Sequence, residues 1–85
     1  MFNFNDGVLT ITLPEGKTQA ELVEDARAEI RSLIESGVLF GQEVKLNGRL
    51  TTGMAISLGH ELAHVCKSVS IFDPKENAYV LCIKH

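Results

Sequence analysis

The chain has 85 residues, of which 45% are hydrophobic and 22% charged, and its formal net charge is −3 at pH 7. This length predicts a single small domain, residues 1–85, whose core is limited enough that self-association would add stability. The negative charge argues against indiscriminate binding to DNA or long RNA, which needs a broad basic surface, and no apolar run is long enough to span a membrane.

The N-terminal part of the chain predicts a hairpin and an amphipathic helix. Residues 1–4 and 8–13 are β-prone runs joined by an Asn-Asp-Gly turn at 5–7. Thr18 and Glu21 then form a capping box, which marks the start of a helix. Apolar residues follow at helical spacing, namely Leu22, Val23, Ala26, Ile30, Leu33 and Ile34. One face of this helix is therefore expected to be buried.

A connector and a third strand follow the first helix. Gly37 supplies the helix exit. In the connector, Leu39 and Phe40 are expected to pack against the core, and residues 43–47 are expected to form the strand.

The turn after this strand has the layout of an anion site. Gly48 and Arg49 lead into a helix predicted at residues 53–65, with Thr51 or Thr52 as its N-cap. A strand, a tight turn and a capped helix present free backbone N–H groups and the positive end of the helix dipole to an anion. An anionic ligand can therefore be held locally although the protein is acidic.

The remaining residues complete an α/β sheet. A strand at 68–72 ends at Asp73-Pro74, and a last strand is predicted at 78–84. The order ββαβαββ predicts an α/β fold of two or three layers. Ligands of such sheets collect beyond the carboxyl ends of the strands, and Arg49 and Asp73 both fall there.

The two cysteines, Cys66 and Cys82, lie on elements that are expected to be buried. The N-terminal residues do not resemble a charged leader followed by an apolar run. We interpret both cysteines as reduced thiols of a cytoplasmic protein.

Residues 60–64, His-Glu-Leu-Ala-His, satisfy the zinc-protease pattern of two histidines four apart on a helix with a glutamate between them. Glu61 would then act as the general base beside a zinc-bound water. A catalytic zinc needs a third protein ligand, and the only other histidine, His85, is the last residue. A zinc hydrolase is therefore the third hypothesis for the function.

Four features of residues 47–85 follow one another in a recognisable order. They are the turn Asn47-Gly48-Arg49, a small-residue helix ending in Leu62-Ala63-His64, a strand Val69-Ser70-Ile71-Phe72 followed by Asp73-Pro74-Lys75, and a hydrophobic strand with Tyr79-Val80-Leu81 before His85. This half of the chain resembles the CRISPR-associated Csx-three family.

The resemblance implies a small Rossmann-like, CARF-like domain that binds cyclic tetra-adenylate as a homodimer, or as a tetramer around the ligand. Ring nucleases of this family open the cyclic messenger in a manganese-dependent reaction and so switch off type III CRISPR defence. Matched residue by residue, the resemblance implies that His64 and Asp73 are catalytic and that Asp73 also binds the metal. It implies ligand binding by Gly48, Arg49, Thr51, Thr52, Lys75 and His85.

Some members carry additional histidines after Leu-Ala-His, whereas residues 65–67 here are Val-Cys-Lys. A protein that sequesters the messenger without cleaving it, and needs no cofactor, is therefore the second hypothesis.

Purely structural roles are also open for two of these residues. Asp73 before Pro74 suits a turn, and His64 near a helix C terminus interacts favourably with the helix dipole.

Overall fold

The computed structural model covers residues 1–85 and contains one mixed sheet with two helices. The elements are β1 (Phe2–Asn5), β2 (Val8–Ile11), α1 (Gln19–Glu35), β3 (Glu43–Gly48), α2 (Thr52–Ala63), β4 (Ser68–Asp73) and β5 (Ala78–Lys84). They follow one another in the order ββαβαββ, which makes the chain a small α/β domain.

The five strands lie in the sheet in the order of the chain, β1-β2-β3-β4-β5. The three central strands are parallel, and the outer strands β1 and β5 pair antiparallel with β2 and β4. The β2–α1–β3 and β3–α2–β4 connections both step across the sheet in the same direction. Because such connections are right-handed, α1 and α2 lie on the same face of the sheet, where they pack against each other. The domain has two layers, unlike a doubly wound Rossmann sheet, whose strand order reverses and whose helices cover both faces.

The core lies between the sheet and the two helices. All 13 buried residues are apolar, and they are Leu9, Ile11, Leu22, Ala26, Ile30, Leu39, Val44, Leu46, Met54, Leu58, Leu62, Cys66 and Val69. The other face of the sheet is uncovered, and Thr10 and Lys45 are exposed there. Alternation along the strands therefore separates an apolar buried face from a polar open face.

Local sequence signals account for the turns and helix ends. Asp6 and Gly7 both have positive φ, at 52° and 78°, as a two-residue hairpin turn requires. The predicted capping box of Thr18 and Glu21 is present at the start of α1. At the helix end, Gly37 has φ 84°, which is the conformation of a glycine exit.

Two burial predictions are wrong. Phe40 is 76% exposed, whereas its neighbour Leu39 is fully buried, because the tight turn around Gly41 lets only one of the two side chains face the core. Cys82 is also exposed. The β4–β5 pairing shifts register, so that Val69 pairs with Ile83 and Ser70 with Leu81, which leaves Cys82 in a bulge.

Cys66 is buried and Cys82 is exposed, and both are free thiols. Desolvation raises the pKa of the Cys66 thiol. Neither helix has the length and apolar character that crossing a bilayer requires.

Candidate functional site

The carboxyl edge, which we define as residues 48–52 and 73–75 at the ends of β3 and β4, brings together six of the predicted site residues. They are Gly48, Arg49, Thr51, Thr52, Asp73 and Lys75. Leu46 pairs with Ile71 in the parallel β3–β4 ladder, and continuing this register puts Gly48 opposite Asp73. Both helices run back along the sheet, so their N termini also lie at this edge.

Gly48 is required by the close approach of two strands. It pairs with Ile11 and has φ 125°, a backbone conformation open to glycine. A Cβ added here would lie 2.2 Å from the Ile11 carbonyl oxygen. The glycine therefore shapes the turn that presents Arg49.

Thr51 is the N-cap of α2, and its hydroxyl serves the fold. Its Oγ1 accepts a hydrogen bond from the Met54 N–H at 3.2 Å and donates one to Gln19 Oε1. Gly53 allows this contact, since an added Cβ would lie 2.9 Å from the same Gln19 oxygen. Thr52, the first residue of the helix, is exposed and has no such bond, so it is the threonine whose side chain is available to a ligand.

The carboxyl edge carries two cations that form no ion pair. Arg49 and Lys75 are both exposed, and the three ion pairs of the protein involve neither of them. Asp73 is half-buried, and its Oδ1 accepts a hydrogen bond from the Lys75 N–H at 3.0 Å. This bond is the Asx turn that an Asp-Pro sequence favours.

The two predicted histidines lie at the opposite edge of the sheet. His64 is the C-cap of α2, just before β4 begins, and the His85 N–H donates to the Lys67 carbonyl at 3.0 Å. β4 has six residues, so its two ends are about 17 Å apart. Within one chain, Asp73 therefore meets neither histidine.

The His-Glu-Leu-Ala-His segment does put its two histidines side by side. The rings of His60 and His64 are 4.9 Å apart, centroid to centroid, on an exposed flank of α2. Glu61, however, faces α1, where its carboxylate accepts hydrogen bonds from Arg31 Nε at 3.0 Å and from a terminal guanidinium nitrogen at 2.9 Å. The glutamate is thus held in an ion pair between the helices.

No three His, Cys, Asp or Glu side chains of the chain cluster in a way that could hold a metal ion. The histidine pair lacks the third ligand that a catalytic zinc uses. Asp73 likewise belongs to no such cluster, so the residues of a single chain do not fit the manganese site that the resemblance implies.

Sequence reasoning missed a basic cavity on the open face of the sheet, which we call the lysine cavity. It has a volume of about 260 Å³ and is lined by Glu43, Val44, Lys45, Lys67, Ser68, Ser70, Leu81, Lys84 and His85. The alternation of β3 and β4 places Lys45 and Ser70 on the same face. Lys67 and Lys84 join them only because the start of β4 pairs with the end of β5, which the sequence pattern does not reveal.

Comparison with protein-family models, with curated proteins and with solved structures gave no match.

Proposed function

We propose that this protein is a small ring nuclease of the Csx-three type, which binds and degrades cyclic tetra-adenylate. The observation that carries the proposal is the carboxyl edge, where Arg49, Lys75 and the start of α2 lie at the same edge of the sheet as Asp73. A guanidinium group and helix amides bind phosphate well. An acidic protein can hold an anion there because the positive charge is local.

The shape of the ligand supports binding by two chains. Cyclic tetra-adenylate carries four phosphates and has a symmetry that includes a two-fold axis, so a two-fold protein dimer contacts it with the same patch twice. For two carboxyl edges to face one ring, the dimer axis must run roughly along the strands. Antiparallel pairing of β5 with its copy would instead place the two carboxyl edges at opposite ends.

The exposed flank of α2 is the surface we assign to this pairing. Ile56 is 69% exposed there, and the same helix borders an apolar groove of about 200 Å³ between α2 and the β4–β5 side of the sheet. Ala55 and Gly59 line the groove, and such small residues permit close approach of a second helix. An exposed isoleucine on a helix that also borders an apolar groove favours a second copy as the partner of this surface.

Cleavage requires residues from more than one chain. His64 and His85 lie about a strand length from Asp73 in the same chain. Asp73 and a histidine therefore come together where the carboxyl edge of one dimer faces the histidine-bearing edge of a second dimer. A tetramer around the ligand meets this requirement. Imidazole groups then act as acid or base near neutral pH.

Sequestration without cleavage is the second candidate function. The separation of Asp73 from His64 and His85 favours it, because a single chain or a simple pair at the carboxyl edge binds the ring without an imidazole beside it. The same contacts of Arg49 and the α2 N terminus would hold the messenger in both cases.

The experiment that separates these functions uses purified protein in excess over labelled cyclic tetra-adenylate, with and without manganese. Linear products support the nuclease, intact and retained ligand supports sequestration, and intact unbound ligand rejects both. Arg49→Ala should weaken binding at least tenfold and reduce its salt dependence. Arg27→Ala, which removes the same charge from the outer side of α1, is the matched control and should bind normally.

A further inference from the structure

The lysine cavity is a second place where positive charge is left without a partner. Lys45, Lys67 and Lys84 all line it and are all exposed, and none of them takes part in an ion pair. Glu43 is the one acidic side chain in the lining. Three ammonium groups against one carboxylate leave the cavity with an excess of positive charge in a protein whose net charge is −3.

Hydroxyl groups add directional donors to this charge. Ser68 and Ser70 line the floor of the cavity from β4 and are half-buried. A serine hydroxyl donates one hydrogen bond, and bonds from lysine and serine to a phosphate oxygen gain from the charge of the anion. The lining is therefore suited to a compact anion with several oxygens.

An aromatic pair adjoins the cavity on the same face of the sheet. The rings of Phe72 and Tyr79 meet edge to face, with centroids 5.3 Å apart. Lys45 connects the two features, since its Nζ lies 5.3 Å from the centre of the Tyr79 ring. Ser70 and Phe72 are alternate residues of β4, so the aromatic pair lies about 7 Å from the cavity floor.

We propose that the open face binds a nucleotide, with its phosphate in the lysine cavity and its base packed against Phe72 and Tyr79. Aromatic side chains on an exposed sheet, next to basic groups, are a common platform for single nucleotides of RNA. This site is separate from the carboxyl edge, and it does not depend on the function proposed above.

The test is a two-dimensional NMR titration of the isotope-labelled protein with 5′-AMP, inorganic phosphate and adenosine. AMP should shift the amide signals of Ser68, Ser70 and Tyr79. It should bind at least about fivefold more tightly than phosphate, because phosphate lacks the base–aromatic stack, and at least about fivefold more tightly than adenosine, because adenosine lacks the charge-assisted hydrogen bonds to the lysines. Equal affinity for AMP and phosphate, or for AMP and adenosine, would overturn the proposal, as would shifts confined to other residues.

Variants locate the effect. The double variant Lys67→Ala/Lys84→Ala changes two exposed side chains, so its spectrum should stay folded while its AMP affinity falls at least about tenfold. Arg27→Ala removes one positive charge outside both sites and should bind AMP like the unmodified protein. If Arg49→Ala removes AMP binding and the lysine variant retains it, AMP is bound at the carboxyl edge and the proposal is wrong.

Discussion

Gly48 has a role in the fold that accounts for a glycine in the turn before Arg49. A side chain does not fit at this position, because φ is 125° and an added Cβ would lie 2.2 Å from the Ile11 carbonyl oxygen. Arg49, by contrast, is exposed and has no ion pair. Of these two neighbours, the arginine is the one whose substitution should report on ligand binding and not on folding.

We predict that Gly48→Ala lowers the free energy of unfolding by more than the roughly 1–3 kcal/mol of a strained backbone position, because a steric overlap adds to the strain. Gly16→Ala is the matched control, since Gly16 also has positive φ, at 75°, but nothing lies within 4 Å of its added Cβ. Urea unfolding of both variants measures the difference. Equal destabilisation would contradict the close approach of β2 and β3.

The two thiols should differ in reactivity. Burial raises the pKa of the Cys66 thiol, so this thiol stays protonated and unreactive near neutral pH, whereas Cys82 is exposed in the bulge of β5. We expect one fast-reacting thiol per native chain with Ellman's reagent and two after denaturation. Cys82→Ser should remove the fast phase, and a fast phase that persists in this variant would show that Cys66 is accessible.

At the scale of the elements, local signals were sufficient for the hairpin turn, the helix caps and most strand limits. The exposure of Phe40 and Cys82 could not be predicted, because it depends on a turn between two positive-φ glycines and on a bulge in the β4–β5 ladder. Neither the turn nor the bulge produces a periodic pattern of apolar residues, so residue type alone predicts burial of Phe40 and Cys82.

The capping box of α1 gives a pH-dependent prediction. A hydrogen bond from the Thr18 backbone N–H lowers the pKa of Glu21, so the stability that this carboxylate contributes is present above its unfolded-state pKa and is lost as the pH falls through its folded-state pKa. Glu21→Ala should therefore lower Tm at neutral pH and have a smaller effect in acid, below the ordinary value of 4.5. Glu24→Ala, one turn along the exposed side, is the control, and a difference that grows in acid would contradict the capping role.

At the scale of the whole molecule, the sheet separates residues that the sequence resemblance grouped into one site. His64 and Asp73 are close in sequence, but α2 runs back along the sheet and β4 returns, so they lie at opposite edges. His85 joins His64 because β5 is antiparallel to β4. The sequence predicts the turn at Gly48 and Arg49 and the N-cap of α2 well, since these features are local. It does not predict the lysine cavity, since that cavity depends on strand pairing.

The exposed flank of α2 should control pairing of the chains. We predict that Ile56→Glu yields a monomer, measured by sedimentation equilibrium, because it puts a charge into an apolar interface, and that this variant binds cyclic tetra-adenylate at least tenfold more weakly. Phe40→Glu introduces the same charge at a site that is 76% exposed in the connector after α1, and it should leave the dimer intact. A monomeric unmodified protein would contradict the pairing surface.

Isothermal titration calorimetry with cyclic tetra-adenylate is the most direct test of the carboxyl edge as a ligand site shared by two chains. We expect binding with one ring per two chains, or one ring per four chains where two pairs enclose it, weakened by Arg49→Ala and unaffected by Arg27→Ala. The absence of binding heat at several temperatures, or a stoichiometry of one ring per chain, would contradict this account.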